Sequence, residues 1–270
     1  MRKTKRGIFL LFKQPRRFLG RIFGPRVYVT SVPKSGTNML MNMLSLFPQL
    51  TINGTLVGLT KAEQIIQIGK LGRGCVVSSH LSLRPQLDPI LVQRNVKVIF
   101  IIRDPRDVCV SLHHWIKRYQ DHYFHSIYMN YANDDERLMI CIKGHEALLS
   151  NGINNGLVSI DNHFLRRLAW LDYPGCCPVR YEHLVGPSGG GDSKQQREEI
   201  IRIERFLNLT LSLRDLDYIV RNIYSTKTAT FRRGQIGGWR EEMTEAHKSA
   251  FKEVSGQLLI DLGYEKDFLW

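Results

Sequence analysis

The chain has 270 residues, 43% hydrophobic and 23% charged, with a formal net charge of +13 and five cysteines. That length supports one large domain with its own core, and cysteines odd in number and irregular in spacing exclude a disulfide framework. Nine of the thirteen excess positive charges fall in residues 1–26, which contain no acid; the body is only mildly basic, and nucleic acid is disfavoured as a partner.

Residues 1–26 interleave those cations with Ile8–Phe12, Phe18, Leu19, Ile22 and Phe23, broken at Pro15. The longest apolar run there is five residues, too short for a signal-peptide core or a spanning helix, so a cytoplasmic location is expected. The interleaving suits an interfacial helix on the cytoplasmic face of a membrane, each cation contributing up to about 1 kcal/mol near an anionic leaflet. The alternative is a solvated arm. The expected division is 1–26 as a basic amphipathic arm and 27–270 as the functional domain.

Val27, Tyr28 and Val29 favour a short buried strand that Pro33 ends. After Lys34, Ser35 and Gly36, the spacing of Met39, Leu40, Met43, Leu44 and Phe47 predicts a helix starting at Thr37 or Asn38. A strand, a tight polar loop and a helix N-terminus together hold anions: first-turn N–H groups and the dipole face the loop, Gly36 admits close approach, Lys34 brings a charge, and Ser35 and Thr37 bring hydroxyls. The Gly-x-x-x-x-Gly-Lys order of nucleotide triphosphate loops is missing, which disfavours ATP or GTP.

Residues 48–74 carry no diagnostic pattern beyond a short helix at 61–68. Cys75–Val77 reads as a second buried strand, placing His80 at a carboxyl end, where open α/β sheets bind ligands. Val96–Ile102 is the clearest strand, a nearly unbroken β-branched run of the kind central parallel strands have. It leads to Arg103 and to a helix begun by Pro105, with Ser111 two turns in, so that Arg103 and Ser111 could reach one phosphate. Residues 117–162, rich in Tyr, His and Asn, suggest a polar lid or acceptor-side insertion and match no metal-ligand spacing. Helices are expected at 164–171, 194–207, 213–224 and 244–262, a strand at 178–184, and a flexible linker at 188–191. The alternation argues an α/β fold of three layers, a mainly parallel sheet flanked by helices, like that of P-loop NTPases.

Pro33-Lys34-Ser35-Gly36-Thr37 between strand and helix resembles the 5′-phosphosulfate loop of the PAPS-dependent sulfotransferases. Four further segments follow in that family's order: Ser79-His80-Leu81, Arg103 to Ser111, Arg180 to Leu184, and Phe231 to Trp239. The resemblance implies sulfuryl transfer from PAPS to a hydroxyl or amine acceptor, with His80 as general base, Lys34 stabilising the leaving phosphate, and no metal. It further implies that Ser35, Gly36, Thr37 and Asn38 hold the 5′ side. Arg103, Ser111, Arg232, Arg233 and Gly234 hold the 3′-phosphate, and Tyr181 approaches the adenine. Met39 stands where many relatives have a Trp on the adenine, Ser78 where they have a Lys, and Gly238 where they have an Asp. The acceptor class stays open among small molecules, saccharides and lipids. The rival readings are a small-molecule kinase and a non-catalytic nucleotide-binding protein.

Overall fold

A computed structural model describes residues 15–146, 156–224 and 233–270. They form two compact units, one from the described parts of Met1–Ile102 and Ala169–Gly234, the other from those of Arg103–Leu168 and Gln235–Trp270.

The first unit holds a five-stranded sheet in the order β2-β3-β1-β4-β5, every pair parallel. The strands are β1 (Arg26–Ser31), β2 (Thr51–Thr55), β3 (Cys75–Ser78), β4 (Val96–Ile102) and β5 (Cys176–Arg180). β1 is central because Val27, Tyr28 and Val29 are apolar on both faces and fully buried. It pairs Val27 with Val76 on one side and with Lys97 on the other. The chain leaves β1 toward β2 and β3 and later returns to β4, so the strand order reverses at its carboxyl end, where such sheets open a ligand crevice.

The expected helix after β1 spans Thr37–Leu46 and buries Leu40, Met43 and Leu44. Helices at Lys61–Gly69, Ser193–Phe206 and Leu213–Asn222 follow the sequence reading to within two residues. β2 was not legible: TINGT has no apolar run, because an edge strand buries little, and its register shifts between Ile52 and Thr55 around Gly54. The supposed linker is ordered. Pro187–Gly189 forms a 3₁₀ turn with Gly189 buried, so these glycines serve packing. The apolar stretch expected as one helix at 164–171 is instead a helix at Ile160–Leu165, capped by Ser159, and a separate 3₁₀ turn at Leu168–Trp170.

The second unit is helical. Pro105–Arg118 packs with Asp134–Lys143, and Glu245–Asp261 packs on the same partner. Its most buried charge is Arg106, 2% exposed, which donates to Asp104 (2.8 Å) and Glu265 (2.5 Å) and lies against the rings of Trp239 and Trp270. All five cysteines are free thiols, as expected.

Candidate active site

Lys34 and Gly36 of the loop after β1 have φ of 76° and 102°. This turn points the loop backbone toward the N-terminus of the Thr37–Leu46 helix, which Gly36 caps. No larger residue fits at Gly36: a Cβ there would lie 2.5 Å from the ring of Tyr181. Ser35 is fully buried, and its hydroxyl has no hydrogen-bond partner among the described residues. A buried orphan hydroxyl beside a helix N-terminus marks an anion cradle. Thr37 is half-buried, Asn38 exposed and Met39 half-buried on the first turn of the helix.

The Ser31 hydroxyl, at the end of β1, lies 2.7 Å from Thr37 Oγ1 and 2.9 Å from His80 Nδ1. It joins the loop to the imidazole within one unit. The segment carrying His80 is clamped on both sides. Ser79 N–H donates to the Val29 carbonyl (3.0 Å), and the Ser79 hydroxyl pairs with Tyr28 (2.6 Å). The Leu81 carbonyl accepts from Trp170 Nε1 (2.8 Å) and from Thr30 Oγ1 (3.2 Å). These supports come from Tyr28, Thr30, Ser31, Ser79 and Trp170, and the sequence assigned none of them a part in holding His80.

Tyr181 was expected at the end of a strand; β5 ends at Arg180, and Tyr181 opens the helical turn Tyr181–Leu184. Its ring packs on Gly36, and its hydroxyl donates to the Gly234 carbonyl (2.8 Å), so one residue seats the loop and the end of the 233–234 segment. Arg233 is exposed, and its carbonyl accepts from Tyr224 (2.8 Å). Arg232 lies outside the described residues.

In the second unit, Arg103 precedes the Asp104 N-cap, and Ser111 is half-buried about two turns into the helix. The Arg103 guanidinium donates to Asp107 (3.3 Å) and to the Gln235 carbonyl (2.6 Å). Asp107 also accepts from the N–H groups of Gly237 (2.9 Å) and Trp239 (3.1 Å). It therefore ties Arg103 to the segment the sequence matched to the family's closing motif. Burial pushes the Asp107 carboxyl above its ordinary value, and Arg103 and the two amides partly offset this. Sequence reading missed Asp107 because an acid in a first helical turn usually serves the dipole.

The aromatic region at 117–162 packs on itself. Trp115 stacks on Tyr119 and meets His122 edge-on, Phe124 and Tyr128 are buried, His125 bonds the Ile116 carbonyl, and His145 bonds Tyr131. Each of these histidines has a structural partner.

Residues 24–135 match the sulfotransferase domain family model. No curated protein matches the sequence at a significant level. Among solved structures, a mouse sulfotransferase (SULT7A1) complexed with PAP aligns over 89% of this chain and 87% of its own, at 18% identity and a TM-score of 0.65. A retinol dehydratase in complex with androsterone and the inactive cofactor PAP aligns over 90% and 83%, at 18% identity and 0.56. A retinol dehydratase complex with retinol and PAP aligns over 92% and 86%, at 19% identity and 0.53. The resemblance read from the motifs is thereby borne out: residues 24–135 match the sulfotransferase domain model, and the fold is shared with the solved sulfotransferase.

Proposed function

We propose that this protein is a PAPS-dependent sulfotransferase acting on a hydroxyl or amine acceptor. The observation that carries the reading is the chain Thr37–Ser31–His80, which couples an anion loop to an imidazole at the carboxyl edge of the sheet. The cradle fits a phosphosulfate: the orphan Ser35 hydroxyl, the Gly36 turn and the Lys34 charge supply what such an anion requires. Lys34, Ser35, Gly36, Thr37 and Asn38 would hold the 5′ side, Met39 and Tyr181 the adenine, and Arg103, Ser111, Arg232, Arg233 and Gly234 the 3′-phosphate. The sulfotransferase and the retinol dehydratase that share this fold were solved with PAP, the desulfated form of the same donor.

Bound PAPS supplies an activated sulfuryl group; the protein's part is positioning and charge. Lys34 and the first-turn amides neutralise charge gathering on the departing phosphate oxygen. A Thr37 hydroxyl that donates to the loop anion must accept from Ser31. Ser31 has then spent its proton and accepts from His80 Nδ1–H, which leaves the Nε2 lone pair for the acceptor's proton. The loop and the base are thus set in one protonation pattern.

Residues 27–270 make up the catalytic domain in this reading, and 1–26 an arm suited to peripheral contact with the cytoplasmic face of a membrane. No described helix is long and apolar enough to cross a membrane. The androsterone and retinol held by relatives of this fold favour a small hydroxyl-bearing acceptor over a saccharide. Purified protein with PAPS and an acceptor panel, scored by mass gain of one sulfuryl group, tests the activity. His80→Ala should lower the rate by about 10²–10⁴-fold with PAP affinity retained. Unchanged turnover in that variant removes His80 as base, and magnesium-dependent ATP turnover in place of sulfation would favour a kinase.

A further inference from the structure

The helix at residues 15–23 lies against the amino-terminal edge of the sheet, with its faces reversed from the usual arrangement. Gly20 meets the Gln49 backbone so closely that a Cβ would sit 2.0 Å from the carbonyl oxygen, and Arg16 pairs with Asp215 at 2.5 Å and with the Thr210 carbonyl at 3.0 Å. These contacts pin the helix and turn Phe18, Leu19, Ile22 and Phe23 outward, 65%, 52%, 43% and 76% exposed. A helix docked on a soluble body ordinarily buries such side chains, and a contiguous exposed group marks an interaction surface.

Beside them opens a cleft of about 100 Å³ lined by Phe23, Arg26, Arg73, Asn95, Lys97 and Asn208 among others, with no carboxylate in its wall. Arg26 is held by the Leu71 (2.9 Å) and Arg94 (3.1 Å) carbonyls, so its charge stays uncompensated. Burial, with Arg94 and Arg73 nearby, pushes its guanidinium below the ordinary value. Lys97 lies 5.2 Å over the Phe206 ring.

We propose that this face docks on an anionic lipid bilayer, the four apolar side chains entering the headgroup layer while Arg26, Arg73 and Lys97 receive lipid phosphates. Charge selects this occupant: residues 1–26 bring nine cations and no acid, and the cleft repeats that sign next to protruding rings, the pairing that interfacial helices use. The site deepens a general basic-arm contact into a defined surface on the folded body, and it stands independently of sulfuryl transfer. β1 runs from this edge to the phosphate loop, about 20 Å away for six residues. A chain so docked presents its loop to acceptors in the aqueous layer.

Flotation of the full chain with vesicles of phosphatidylcholine alone, and of phosphatidylcholine mixed with phosphatidylglycerol, tests this. Binding is expected to the mixed vesicles only. Phe18→Ser with Phe23→Ser should weaken it on the order of ten-fold per ring, and Arg73→Ala with Lys97→Ala about five-fold per cation, each with unchanged circular dichroism and Tm. Four results would overturn the proposal. They are wild-type binding by both double variants, which would leave contact to residues 1–14 alone; equal binding to neutral vesicles; a concentration-dependent dimer through the apolar face without lipid binding; and duplex DNA binding in place of lipid binding.

Discussion

Ser31 ends a buried strand and is fully inaccessible, yet its hydroxyl bonds both Thr37 and His80. In Ser31→Ala the imidazole loses its Nδ1 partner, a loss of roughly 1 kcal/mol for one hydrogen bond. We expect kcat to fall about ten-fold while PAP affinity holds. The acid limb of the kcat/KM profile should move to lower pH, because a hydroxyl acceptor stabilises the imidazolium more than the neutral ring. Ser31→Thr should restore both, and a variant with neither change would show that the link is only structural. Gly36 offers a second test at this scale. Ala there must adopt a φ of 102° and displace the Tyr181 ring, at a cost on the order of 1–3 kcal/mol. Gly36→Ala should lower PAP affinity ten- to a hundred-fold by calorimetry; wild-type affinity would mean that the loop tolerates another path.

At the scale of elements, the Pro105–Arg118 helix organises its unit through its first turn. Asp104 and Glu265 fix Arg106 against two indole rings, and Asp107 gathers Arg103 and two amides of the segment entering the Trp239–Glu242 helix. Removing the Asp107 carboxylate takes the counter-charge from the Arg103 guanidinium, which keeps the Gln235 carbonyl, and leaves two N–H groups without this acceptor. Asp107→Ala should therefore cost about 3–5 kcal/mol in urea unfolding, and hydrogen exchange at residues 235–242 should accelerate. If stability falls while exchange there stays slow, the segment is held by something other than this carboxylate.

Across the whole molecule, stability should depend on pH through His113. It is 3% exposed on the same helix and bonds the Tyr128 hydroxyl (2.7 Å), which in turn meets Cys141 (3.2 Å). Burial, then the neighbouring His114, depress its pKa from 6.5 to about 4, against weaker support from Asp134 and Glu242. The folded protein thus resists the proton that the unfolded chain accepts. This contribution is complete above pH 6.5 and is lost as pH falls toward about 4, by up to roughly 3 kcal/mol. Thermal unfolding should show a falling Tm across that window, flattened in His113→Asn. An equal slope in the variant would assign the loss to carboxylates such as Asp134, which Lys117 and Arg137 hold down at about 2.

The strands Val27–Val29, Cys75–Val77 and Val96–Ile102, the loop Lys34–Gly36 and the helices that follow were legible because each is written in contiguous residues. β-branched runs, a Pro–Gly punctuation and a 3.6-residue period are local signals, and a parallel α/β fold follows from their alternation. The motifs that carry Lys34, His80 and Arg103 were legible for the same reason, since each lies in contiguous residues. The partners of those residues were not. Ser31 reaches His80 across 49 positions, Tyr181 meets Gly36 and Gly234 across still more, and the outward turn of Phe18 and Phe23 follows from one glycine against Gln49. Sequence by itself determined most of the elements and the polar and charged groups they carry. Tertiary structure alone decided which of those groups touch, because the register of β1 between β3 and β4 sets the distances and no local pattern encodes it.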